Sequence, residues 1–257
     1  MTLPANLEPA LRDPRKLRRT AWILVGIMIA GGSLVYTAYE KWAASKAGDT
    51  RPAMIHKVRK EHQLRVLRQD GARADLFEPS GRVWAVHTLA LSPHESPAIS
   101  LDVMKRLAGI FSGNDDFTLV SLVVDPPAAG LDAALANMAK ASGMELPSWW
   151  LAASDPADTH KFIKAQLKAG IFPHQENGRW VHDTSIVLID RAGRVRRAVV
   201  PSRSGGAPYI AAFDFDQAAK WDSEDRLTGT GRSNVEELEM LLVKTIKTLL
   251  DEPQTPR

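Results

Sequence analysis

The first pattern along the chain is an uncharged apolar run, AWILVGIMIAGGSLVYTAY, from Ala21 to Tyr39. A helix crossing a bilayer needs about 20 such residues, and this run reaches that length. It has no polar face, which a soluble amphipathic helix would need. Trp22, Tyr36, Tyr39 and Trp42 stand near its ends, where aromatic side chains meet the headgroups of a membrane. The pattern predicts a cytoplasmic segment over 1–20, a transmembrane anchor over 21–39, a polar stalk over 40–62 and a folded domain over 63–250. A frayed tail follows over 251–257.

Within the domain the periodicity switches between strand and helix. Gln63 to Leu67 reads as a short strand, and Gln69-Asp70-Gly71 as a turn. Val83 to Leu89 is rich in β-branched and aromatic residues and predicts a strand. Pro97 to Phe111 predicts a helix, with Ser96 as its cap and Ile99, Val103, Leu107 and Ile110 at helical spacing. Phe117 to Val124 is almost wholly apolar, as in a strand buried on both faces. Leu131 to Ala141 predicts a second helix. A third starts at Asp155-Pro156 and buries Phe162, Ile163 and Leu167. Ser185 to Ile189 and Val195 to Val200 predict a hairpin about Asp190 to Gly193. Residues 201–232 show no clear period and read as a long insertion. A last helix, Asn234 to Leu250, opens on the capping box of Ser233 and Glu236. This order predicts an α/β fold, a central sheet with flanking helices behind one N-terminal transmembrane helix.

Charge sets the orientation. Arg12, Arg15, Lys16, Arg18 and Arg19 precede the apolar run, and Lys41 and Lys46 follow more sparsely. The positive-inside rule then places the N-terminus in the cytoplasm. The expectation is a single-pass protein of the cytoplasmic (inner) membrane, its domain on the periplasmic or extracytoplasmic side, with membrane lipid as a partner through the anchor. A cleaved signal peptide is the alternative, although the run is longer than a usual signal core. The net charge is only +3 and no basic stripe carries interleaved aromatics, so a nucleic-acid partner is not expected. The chain has no cysteine, which excludes disulfides, thiolate ligands and thiol redox chemistry together.

The segment VWAVHTLALSPHESP, Val83 to Pro97, runs from a strand through a short loop to a helix start. Within it lies Ser92-Pro93-His94-Glu95-Ser96-Pro97. Downstream come LVSLVVDP, Leu119 to Pro126, then Val181-His182-Asp183-Thr184-Ser185, Leu188-Ile189-Asp190 and Gly193-Arg194. In this order the motifs resemble the Sco/SenC/PrrC copper-chaperone family over roughly residues 63–200. The resemblance implies a thioredoxin-like fold and a link to cytochrome c oxidase assembly. It also implies a copper site at the positions of Ser92, Ser96 and His182, where the family has two cysteines and a histidine. Both cysteines are serine here, and a neutral hydroxyl is a poor ligand for Cu(I). Copper delivery and thiol–disulfide exchange are therefore expected to be absent.

The reading is a degenerate, non-catalytic member with no cofactor, acting as a scaffold or assembly partner of a respiratory oxidase-type membrane complex. An alternative is a copper or zinc protein using His94, His182, His87 and Glu95, because imidazole and carboxylate suit such ions. A distant alternative is a serine hydrolase built on Ser92 or Ser96 with His182 and Asp183, without the G-x-S-x-G elbow. Trp149-Trp150 reads as a half-buried pair beside the sheet. Arg191, Arg194, Arg196 and Arg197 read as a solvated basic hairpin edge that faces solvent, anionic lipid or a partner.

Overall fold

The computed structural model describes residues 14–47, 51–76, 81–92, 99–201, 208–226 and 230–253. The chain divides into two units: one of residues 1–49 and 201–208, which holds helix α1, Pro14–Ala47, and a domain of residues 50–200 and 209–257. Residues Pro14–Lys41 of α1 form a helix long and apolar enough to cross a membrane, and none of that stretch is buried. The helix therefore outruns the apolar segment Ala21 to Tyr39 at both ends.

The domain is built on one sheet whose strands lie in the order β1-β10-β9-β4-β5-β6-β2-β3, with β11 added to β10. These are β1 Ala53–Lys57, β2 Arg65–Arg68, β3 Arg73–Asp75, β4 Val83–Leu89, β5 Phe117–Val123, β6 Trp149–Ala153, β9 Val187–Ile189, β10 Arg194–Val200 and β11 Tyr209–Ala211. A separate hairpin joins β7 His174–Glu176 to β8 Arg179–Val181. At the centre β4, β5 and β6 run parallel, β9 pairs antiparallel with β4, and β10 pairs antiparallel with β9. The parallel trio requires crossovers, supplied by α2 Ile99–Ile110 and α3 Leu131–Ser142.

Alternation along the central strands sends side chains into two cores. Val83, Ala85, Leu119 and Leu151 meet α2, α3, α5 Phe215–Ser223 and α6 Asn234–Asp251 through Met104, Leu107, Leu135, Phe215, Leu242 and Ile246. Trp84, Val86, Val120 and Leu122 meet α4 Pro156–Ala165 through Phe162 and Ile163. Strands covered on both faces have no reason to alternate with polar residues, which is why β4 and β5 read as continuous apolar runs. Each fully buried aliphatic side chain contributes about 1.5–3 kcal/mol, so a core this extensive needs no disulfide.

Local signals hold the helices as expected. Asp155 caps α4 by accepting from the Ala157 and Asp158 amides, with Pro156 in the first turn. Ser233 and Glu236 close the reciprocal capping box of α6. Gly143, at φ 70°, ends α3 in a left-handed conformation that suits a residue without Cβ.

Several expectations are corrected. The segment read as a stalk contributes β1 to the sheet, paired with β10. The insertion 201–232 holds β11 and α5, which are too short to show a period. Trp149 and Trp150 lie in β6 and are buried within the sheet rather than beside it. The basic hairpin is not a solvated edge, because β10 is flanked by β1, β9 and β11.

Arg196 in particular is buried, and it clamps three parts of the chain. Its guanidinium pairs with Asp190 (2.7 Å) and Glu252 (2.7 Å) and donates to the Pro52 carbonyl (2.8 Å). Burial opposes its charge, but the bonds from Glu252 and Asp190 prevail and raise its pKa. Arg191 donates to the carbonyls of Leu250 (2.8 Å) and Glu252 (2.9 Å) and pairs with Asp116. Glu252, expected in a frayed tail, is thus a structural residue.

Candidate functional site

The motif residues converge at the C-terminal ends of β4 and β5, the end where open α/β sheets place their sites. Strand β4 delivers His87, Thr88 and, just beyond its end, Ser92. Strand β5 delivers Ser121 and, past its end, Asp125. The Val181 to Ser185 segment brings His182. Of the remaining expected site residues, His94, Glu95 and Ser96 lie outside the described residues.

Ser92 is held by Asp125. The Asp125 carboxylate accepts from the Leu91 amide (2.5 Å), the Ser92 amide (2.9 Å) and the Ser92 hydroxyl. Bonds to an ionised acceptor are about twice as strong as neutral ones, so three on one carboxylate pin the start of the loop. Ser92 Oγ donates to a carboxylate rather than to a histidine. The hydroxyl is a latch, and the Ser92–His182 pairing that a hydrolase would need is not formed.

His182 is held from the other side. The Thr88 hydroxyl donates to the Asp183 carbonyl (2.6 Å), so its oxygen accepts from His182 Nδ1–H (2.8 Å). That contact puts the proton of a neutral imidazole on Nδ1. Asp183 then fixes the segment: its carboxylate accepts from the Ser185 amide (3.0 Å), the Ser185 hydroxyl (2.5 Å) and the Gly170 amide. Gly170 is suited to this approach, since a Cβ there would lie 3.3 Å from Asp183 Oδ2.

His87 points the other way, into the core under α2. Its exposure is 1%. The Trp149 indole N–H donates to Ser121 Oγ (2.8 Å), and the same hydroxyl shares a hydrogen bond with His87 Nε2 (2.6 Å). His87 Nδ1 is buried without a hydrogen-bond partner. Burial, helped by the nearby His182, lowers the His87 pKa to about 3. A buried, neutral imidazole with Nε2 already engaged by Ser121 is a packing group, not an accessible ligand.

Sequence reasoning missed Asp125, Thr88 and the Ser121–Trp149 pair as partners of these residues. Asp125 stood in the VVDP stretch, but only the sheet order places it beside Ser92.

The fold is thioredoxin-like, of the kind seen in Sco/SenC proteins. A SCO1/SenC family lipoprotein from Bacillus anthracis superposes with a TM-score of 0.53 at 18% identity, over 78% of this chain and 98% of that one. The soluble domain of Sco1 from Bacillus subtilis gives a TM-score of 0.44 at 19% identity, over 59% and 86%. Arabidopsis thaliana ScoI with copper bound gives 0.45 at 14% identity, over 72% and 96%. No family model and no curated protein matches the sequence.

The residues at the expected copper positions do not fit Cu(I). Ser92 is a neutral hydroxyl already donating to Asp125, and no thiolate exists anywhere in the chain. Among the described residues no group of three or more His, Asp or Glu side chains is arranged to hold a metal ion.

Proposed function

We propose that the chain is a membrane-anchored, non-catalytic Sco-like protein that serves as a scaffold or assembly partner of a respiratory oxidase-type membrane complex. The observation that carries this reading is the Ser92–Asp125 latch. The position that would carry a thiol instead carries a hydroxyl, committed to a carboxylate. A negative charge at that spot disfavours a thiolate, so the surroundings suit serine better than cysteine. The bonds from Leu91 and Ser92 to Asp125, and from Gly170 and Ser185 to Asp183, support a fixed recognition surface rather than a reactive centre. The basic cluster before the apolar helix supports an orientation with the domain outside the cytoplasm. The link to an oxidase rests on likeness: one similar structure is described as a member of the Sco family of cytochrome c oxidase assembly proteins.

The test uses the full chain in mild detergent. Co-purification with haem-containing oxidase subunits, retained in His182→Ala, is the expected result. A parallel titration with Cu(I), Cu(II) and Zn(II) should show no stoichiometric binding. Tight binding of one equivalent that is lost in His182→Ala overturns the scaffold reading in favour of a histidine-based metal carrier.

A further inference from the structure

The sheet has two ends, β1 and β3, and they differ in charge. Residues 51–59, which contain β1, include Arg51, Lys57 and Arg59 and no acidic residue. Its partner β10 spans 194–200 with Arg194, Arg196 and Arg197 and again no acid. Arg196 is neutralised internally, but Lys57 and Arg59 are exposed and Arg194 and Arg197 are half-exposed. Arg197 also donates to the Lys168 carbonyl (3.5 Å), which brings another lysine to this rim. Glu61 is the first acidic residue beyond β1. At the other end, residues 65–75 mix Arg65, Arg68 and Arg73 with Asp70 and Asp75, and Arg68 pairs with Asp70 at 2.6 Å.

Apolar side chains accompany the basic end. Met54 on β1 is 61% exposed, and Tyr209 and Ile210 on β11 are 59% and 51% exposed. Both strands pair with β10, β1 along Arg194 to Arg197 and β11 along Ala198 to Val200. Cations beside exposed methionine, tyrosine and isoleucine are the composition that settles at a lipid headgroup layer. Only residues 48–52 separate α1 from β1. Five extended residues and their flanking bonds span at most about 20 Å, so a chain anchored through α1 carries β1 within reach of the bilayer.

We infer that the β1–β10–β11 end of the sheet is a docking surface for anionic lipid headgroups, which holds the domain down on the membrane instead of letting it swing on its tether. This rests on the membrane-anchor part of the proposed function and goes beyond it. With Asp125 holding Ser92 and Asp183 holding the His182 segment, a docked sheet end would present the Ser92–His182 corner in one orientation to a membrane complex.

The chain has no native cysteine, so single labels can be placed without background. Full-length protein is reconstituted in neutral phosphatidylcholine vesicles and in vesicles containing phosphatidylglycerol, with a nitroxide on Met54→Cys or Ile210→Cys. Ile27→Cys in α1 and Arg73→Cys on β3 serve as controls. The expected result is that the Met54 and Ile210 labels become accessible to lipid-soluble oxygen and shielded from a water-soluble relaxant only in anionic vesicles. The effect should vanish at 1 M salt, where the screening length is about 3 Å. The Arg73 label should stay in water throughout. Lys57→Gln with Arg59→Gln should lower the docked-to-undocked ratio about 25-fold, near five-fold per cation removed. If the Ile27 label lies in lipid and the Met54 and Ile210 labels stay in water, the docking surface is wrong and the anchor stands. If the Ile27 label is also in water, the anchor reading fails with it. Shielding that appears only when a membrane complex is co-reconstituted overturns the lipid assignment in favour of a protein interface.

Discussion

The Ser92 corner and the Arg196 clamp are both polar and both shielded, yet they handle charge in opposite ways. The clamp buries a cation and supplies two carboxylates and a carbonyl to match it. The corner places one carboxylate, Asp125, against two amides and a hydroxyl. The clamp does structural work: it ties Pro52, where the chain enters the sheet, and Glu252, where α6 ends, to the same strand. The corner commits the Ser92 hydroxyl to a carboxylate instead of pairing it with His182.

Breaking the clamp should have the largest effect. Arg196→Leu leaves Asp190 buried without its cation, and losing one partner of a buried pair costs about 3–5 kcal/mol. Urea unfolding should show the loss as a shifted midpoint with an unchanged slope. A loss below 1 kcal/mol would mean that the clamp is no stronger than a surface pair.

Acid should come next, through His87. Its folded-state pKa, about 3, lies below the ordinary histidine value of 6.5, so the folded state resists a proton that the unfolded state accepts. The contribution is intact above pH 6.5 and is lost as pH falls towards 3. At pH 4.5 the loss amounts to about 3 kcal/mol. Urea midpoints measured from pH 7 to 4.5 should fall accordingly, and His87→Phe should flatten that decline. An unchanged slope in the variant would assign the acid sensitivity elsewhere.

Asp125→Ala should cost less, about 1–3 kcal/mol, because it strips the acceptor from the Leu91 and Ser92 amides and the Ser92 hydroxyl. Ser92→Ala, which leaves the carboxylate with both amides, should cost about 1 kcal/mol. If the two variants were equal, the hydroxyl alone would account for the latch.

The smallest effect in energy sharpens the comparison most. A single thiol introduced by Ser92→Cys should have a raised pKa beside the Asp125 carboxylate. Its alkylation at pH 7.5 should be slower than that of a free thiol and should speed up when Asp125→Asn is added. Faster alkylation with Asp125 intact would contradict the account of the corner as unsuited to thiolate.

Much of the fold was legible in the sequence because its signals are local. The β4 strand spans the predicted residues, since seven consecutive buried positions leave no other period to read. The capping box of α6 and the proline-led start of α4 also lie where the short motifs put them. Strands β1, β3, β6, β7, β8 and β11 were not legible. β3, β7, β8 and β11 are three residues each, β1 lies in a polar and charged stretch, and β6 begins on two tryptophans that read as a half-buried pair beside the sheet.

The candidate site divides the same way. Sequence alone determined that thiol chemistry is absent, because the lack of cysteine is a matter of composition and no fold can restore it. It also determined the apolar N-terminal helix, whose length and lack of charge are properties of one contiguous segment. Only tertiary structure decided that Ser92 faces Asp125, that His182 faces Thr88, and that His87 turns away into the core to meet Ser121. Those pairs are 33, 94 and 34 residues apart. Which residues meet across such distances depends on strand order and side-chain direction, and neither is encoded in any single stretch of the chain.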